Sequence, residues 1–137
     1  MITFSQKNKL LPVEHVPNQT AGQLAKSTMK TVELYAKGGF QVKVALMDKE
    51  FNKIKDDVGH LEVNTTARRE HVAKIGRHIW LVKEQMRCTA AALLSCGIKH
   101  LPKQIVIHLV YYVTLWLNAF PGKQTLSLNF LPKEIVT

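Results

Sequence analysis

The sequence predicts a single α/β domain in which helices cover a small, partly parallel sheet. Three observations carry this expectation. Segments with helical and strand periodicity interleave along the chain instead of falling into separate blocks. Residues 40–47 pass from alternating to continuously apolar, the pattern of a central strand entering a core. The length of 137 residues suits one domain and leaves little room for two, so residues 1–137 are read as one unit.

The opening Ile2-Thr3-Phe4-Ser5 and residues 10–16 read as two short strands around the polar turn 6–9. Leu24, Met29, Val32 and Ala36, with Ala25 and Leu34 beside them, form a helical stripe from Ala21 to Lys37, and Gly38-Gly39 stops it. After the strand at 40–47 comes Asp48. Residues 49–58 predict a short helix carrying Phe51, Ile54 and Val58, and residues 61–63 a further short strand. A long helix is expected over residues 66–94 with Thr66 as its N-cap. Its Val72, Ile75, Ile79, Val82, Met86 and Leu93 fall within an arc of about 80° at 100° per residue. Residues 102–118 predict a last helix, ended by Pro121-Gly122. No repeats or low-complexity segments occur.

A hydrophobic fraction of 46% argues against wholesale disorder. The formal net charge of +9 favours polyanionic partners, nucleic acid or an anionic surface. That charge is localised. Residues 1–65 hold nine Lys/Arg against seven Asp/Glu, whereas residues 66–103 hold eight against Glu70 and Glu84 alone. The two cysteines, Cys88 and Cys96, form no CxxC, and no Cys/His group has zinc spacing. They read as reduced thiols in an intracellular protein, nuclear or cytoplasmic. The first nine residues lack the apolar run of a secretory signal. The apolar run from Ile105 to Phe120 contains His108 and Asn118 and falls short of the roughly 20 residues of a membrane span, so a buried core helix and no membrane are expected.

Two features bear on chemistry. Asp48 stands at the carboxyl end of a central strand, where layered sheets place ligands and metals, although a strand-end Asp equally serves to cap the next helix. On the long helix, Arg69, Gly76, Trp80, Lys83 and Arg87 cluster beside the apolar stripe, with Arg77 on its outer flank. Cations and an aromatic on one face neutralise phosphates and stack on bases. The plain alternative is a solvated helix face with a half-buried Trp at its edge.

Several short motifs resemble those of copia-type retrotransposon integrases. Asp48-Lys49-Glu50-Phe51 after an apolar strand looks like their Asp-x-Glu-Phe box. Residues 64–72 occupy the place of the loop leading to their catalytic helix. The stretch 76–87 resembles their Glu-Arg-x-x-Arg-Thr helix with its later Arg. Trp116-Leu117-Asn118-Ala119-Phe120-Pro121 and Leu131-Pro132-Lys133-Glu134 are similar to their closing Leu-Asn-x-x-Pro and Ser/Thr-Pro-x-Glu motifs. The resemblance covers about residues 36–136 and implies a ribonuclease-H-like fold: a short mixed sheet flanked by helices, its first strand truncated here, with long C-terminal helices. It also implies DNA as partner and phosphoryl transfer through two divalent ions held by two aspartates and a glutamate, because hard oxygen ligands must bridge Mg²⁺ or Mn²⁺.

The chain departs from that pattern. The catalytic glutamate falls on Gly76, or on Lys74 if the alignment is shifted, and the first aspartate falls near Ile2 or Thr3. Only Asp48 remains as a catalytic and metal-binding remnant. Glu84 is separated from Asp48 by 35 intervening residues, the integrase spacing, yet it is eight positions past Gly76. That is about 12 Å along the helix and about 80° around it. An i,i+3 partnership with Arg87 is the expected role of Glu84.

The resulting expectation is a nucleic-acid-binding remnant, with Arg69, Arg77, Trp80, Lys83 and Arg87 as contacts and no cofactor. One alternative is an active metal-dependent integrase or nuclease using Asp48 and Glu84 with Mg or Mn. Another is a structural or interaction module whose charge is incidental. The apolar helix Ile105 to Phe120 offers either a homodimer surface or ordinary packing on the long helix.

Overall fold

A computed structural model describes residues 1–66, 73–120 and 134. Its elements in order are helix α1 (Ala21–Lys37), strand β1 (Val44–Met47), a 3₁₀ helix (Lys49–Ile54), strand β2 (Glu62–Thr65), helix α2 (Ala73–Ser95) and helix α3 (Lys103–Ala119). The class is mixed α/β, as expected. Among the described residues the sheet has only two strands, paired in parallel with Val44 opposite Glu62 and Met47 opposite Thr65.

The N-terminal residues form a hairpin-like pairing of their own. Ile2 and Val13 make an antiparallel bridge, with Thr3 N–H donating to the Pro12 carbonyl and Ser5 N–H to that of Leu10, both at 3.0 Å. Lys9 closes the turn at φ 58°, in the left-handed region.

Helix α1 has the expected bounds but a rotated buried face. Leu24, Ala25, Ser27, Thr28, Thr31 and Tyr35 are buried, while Ala36 is exposed. Hydroxyls tolerate this burial because the helix itself supplies acceptors: Thr28 Oγ1 donates to the Leu24 carbonyl at 2.9 Å and Thr31 Oγ1 to that of Ser27 at 3.1 Å. At its end Gly39 takes φ 77°, and Phe40 N–H reaches back to the Tyr35 carbonyl while Gly39 N–H bonds Ala36. This is a Schellman closure, which requires a residue at ease with positive φ. Gly97, at φ 90°, ends α2 the same way through Ile98 N–H to Leu93.

The first core gathers Leu24, Ala25, Ile54, Val58, Leu61 and Val63, with Ala45, Met47 and Phe51 packed against it. Ile54 and Val58 are its fully buried side chains, four residues apart on the 3₁₀ helix and the following turn. Alternation along β1 sends Ala45 and Met47 inward and leaves Val44 and Leu46 more than half exposed on the other face. The expected strand at 40–47 is shorter than its apolar run: Phe40 and Val42 pack against Leu10 and Tyr35 before pairing begins.

A second core joins α2 and α3 to the N-terminal hairpin. It consists of Leu11, Val82 and Val113, with Ile2, Phe4, Ile75, Met86, Val110 and Leu117 around them. Leu10 and Leu11 are thus adjacent in sequence but belong to different cores, Leu10 facing Tyr35 of α1 and Leu11 facing α2 and α3.

One sequence expectation, that of a buried last helix, needs correction. Thr66 N–H donates to the Met47 carbonyl at 3.1 Å and extends the β1–β2 ladder, while the helix start expected just after it lies outside the described residues. Helix α2 is described from Ala73 onward. Helix α3 is not a buried core helix: only Val113 and Thr114 are buried, and Ile105, Val106, Tyr111, Tyr112, Leu115 and Trp116 are exposed. No helix among the described residues is long and apolar enough to cross a membrane.

Candidate nucleic-acid interface

Val82 fixes the orientation of α2, since its burial in the second core turns the opposite side of the helix outward. Trp80 stands about 160° from Val82 at 100° per residue, and its indole is 59% exposed. Arg77, Lys83 and Arg87 are exposed on the same outward side. Measured from Trp80, helical geometry places Arg77 and Lys83 one turn to either side, each about 60° around, and Arg87 about 20° around, two turns along. Arg69 lies outside the described residues.

One carboxylate shares this face. Glu84 Oε1 accepts a hydrogen bond from Arg87 Nη1 within an i,i+3 ion pair, and both side chains are substantially exposed. Solvent screening makes such a pair weak, so Arg87 exchanges partners at small cost. Among the described residues, the face carries three cations against this one carboxylate.

Gly76 lies on this outward side, and a Cβ added there meets nothing within 4 Å. Packing therefore gives no reason for glycine at this position.

His78 lies on the inward side of α2, about 40° around the helix from Val82, at the junction with the N-terminal hairpin. Its ring stacks on Phe4 with centroids 3.9 Å apart and planes inclined by 29°. Burial lowers the His78 pKa, and the positive charges of Arg77 and Lys9 lower it further. Lys9 thus brings its charge near His78, a proximity that sequence reasoning missed. A contact between residues 69 apart leaves no periodic signal in the chain.

Asp48 is exposed at the carboxyl end of β1 and precedes the 3₁₀ helix. Its carbonyl accepts the Phe51 N–H at 3.0 Å, while its side chain makes no capping hydrogen bond. Among the described residues no three His, Cys, Asp or Glu side chains gather closely enough to hold a metal ion. Asp48 belongs to the sheet half of the molecule, and Glu84 is engaged by Arg87 on the helical half.

The surface thus offers fixed positive charge and an available aromatic ring on a rigid helix. Such a surface neutralises phosphate and stacks on flat rings. The chain matches no family model, no curated protein and no solved structure.

Proposed function

We propose that this chain is an integrase-derived nucleic-acid-binding domain that binds DNA through the outward face of α2 and has lost strand-transfer chemistry. The observation that carries the reading is the joint exposure of Arg77, Trp80, Lys83 and Arg87 on the side of α2 turned away from the second core. The ribonuclease-H-like architecture is part of the proposal. In its support, helix and strand interleave along the chain and the two sheet strands pair in parallel. The loss of catalysis rests on Gly76, which stands where the resemblance requires glutamate, and on the pairing of Glu84 with Arg87. A DNA partner places the protein inside the cell, in the nucleus or cytoplasm.

Fluorescence anisotropy with labelled DNA at about 50 mM salt tests the reading. The expected result is binding that weakens with salt and is reduced at least tenfold in a Lys83→Ala/Arg87→Ala double variant. Absence of binding at that salt leaves an interaction module with incidental charge. Manganese-dependent DNA cleavage abolished by Asp48→Asn establishes the active enzyme instead.

A homodimer through α3 is a second element of the proposal. Tyr112, Trp116 and Phe120 are exposed at successive turns, with rings in mutual contact. Apolar patches of this kind mark association surfaces.

A further inference from the structure

The molecule exposes two aromatic surfaces, and their surroundings differ. On α3, Trp116 and Phe120 stack on each other at 5.3 Å with planes 10° apart, and Tyr112 meets Trp116 edge-on at 6.0 Å. No Lys or Arg follows Lys103 within that helix. The rings there partly cover one another, and the helix carries no cation beside them to hold a phosphate chain.

Trp80 is the opposite case. Among the described residues no other ring contacts it. Arg77 and Lys83, three residues before and after it, are separated by about 9 Å of axial rise with the indole between them. A nucleic-acid strand following the two cations brings its bases across the ring. Stacking on an aromatic strengthens binding, and it needs a base whose face is free. Bases in a duplex are already stacked, so a duplex gains from the cations but not from the ring.

We infer that Trp80 is a stacking platform for an unpaired base, flanked by Arg77 and Lys83 on the phosphates, so that the chain prefers single-stranded over duplex nucleic acid. The inference rests on the proposed nucleic-acid binding and adds the class of strand. It concerns a feature shared by single-stranded DNA and RNA, a flexible phosphate chain with free base faces.

The test compares the full chain on labelled oligo-dT and on a duplex of equal length at about 50 mM salt. The wild-type chain binds oligo-dT more tightly. Trp80→Ala weakens oligo-dT binding about tenfold and leaves duplex binding within about twofold, while Trp80→Phe, which keeps a ring, retains most of the preference. Lys83→Ala weakens both substrates alike. In a Trp116→Phe background, oligo-dT quenches the remaining Trp80 fluorescence. Equal affinity for both substrates, or an equal loss on both in Trp80→Ala, overturns the inference and leaves the proposed function standing. Failure to bind either substrate overturns the proposed function and the inference with it. Trp80 is exposed, so its replacements leave the core intact, and circular dichroism verifies the fold.

Discussion

Asn118 binds the backbone of Leu11 from both sides of the peptide unit. Its Oδ1 accepts the Leu11 N–H at 2.8 Å, and its Nδ2 donates to the Leu11 carbonyl at 3.0 Å. The amide thus takes the place of a neighbouring strand, 107 residues away in sequence. Nearby, Tyr111 Oη accepts the His15 N–H at 3.0 Å, so α3 ties down the N-terminal segment at two points. The Asn of the closing motif Leu117-Asn118 therefore has a structural explanation.

Replacing that amide should weaken the fold. Leu11 is buried, and truncation leaves its two backbone groups without partners in a site of limited water access. We expect Asn118→Ala to lower stability by about 2 kcal/mol in urea denaturation, with the slope of the transition unchanged. A loss below about 0.5 kcal/mol shows that water replaces the amide.

Gly76 should respond in the other direction. With open space around it and a position well inside α2, alanine removes the helix penalty of glycine without a clash. We expect Gly76→Ala to raise stability by about 1 kcal/mol, read from the shift of the thermal midpoint. DNA affinity should stay unchanged.

The Glu84–Arg87 pair separates the binding and catalytic readings. If the α2 face binds phosphate, Glu84 competes for Arg87 and repels the ligand. Glu84→Gln should then strengthen DNA binding by about threefold at low salt, with the gain fading as salt rises. A carboxylate serving as a metal ligand shows the reverse, a loss of metal-dependent function.

His78 predicts a pH dependence. Its folded pKa lies below the ordinary 6.5, so the unfolded chain takes up its proton first as pH falls. Stability associated with neutral His78 is complete above pH 6.5 and declines as pH drops from there through the lower folded pKa. Denaturation midpoints measured from pH 8 to pH 5 should fall, and His78→Asn should flatten the decline below pH 6.5. Protonation of the Met1 amine adds a separate slope starting near pH 8.0, since burial lowers that group as well while Glu14 opposes the shift.

The α3 surface yields a measurement of association. Trp116→Glu should shift a monomer–dimer equilibrium toward monomer by at least tenfold, read by light scattering across a dilution series. A wild-type chain that stays monomeric at every concentration removes the dimer from the proposal.

Local chemistry made much of this legible in the sequence. The bounds of α1 follow from its apolar stripe and, at its end, from Gly38-Gly39. The 3₁₀ segment showed in the placement of Ile54 and Val58. The outward face of α2 was readable because its apolar and charged residues segregate. Helix α3 was not readable in this way: apolar residues surround it, so periodicity could not tell the packed side from the open one. The buried face of α1 was hidden by Ser27, Thr28 and Thr31, whose hydroxyls bury once the helix supplies their acceptors. Whether Asp48 meets other acidic groups depends on tertiary placement, which spacing along the chain does not encode.

The division of Leu10 and Leu11 between two cores has a mechanical consequence. Two consecutive side chains on an extended backbone point in opposite directions, so this dipeptide works as a rivet through both halves of the molecule. Strain or loosening on the helical side is transmitted to the sheet side through a few ångströms of peptide. Excising residues 1–16 would cut Leu11, Ile2 and Phe4 out of the second core and Leu10 away from Tyr35, destabilising both halves at once.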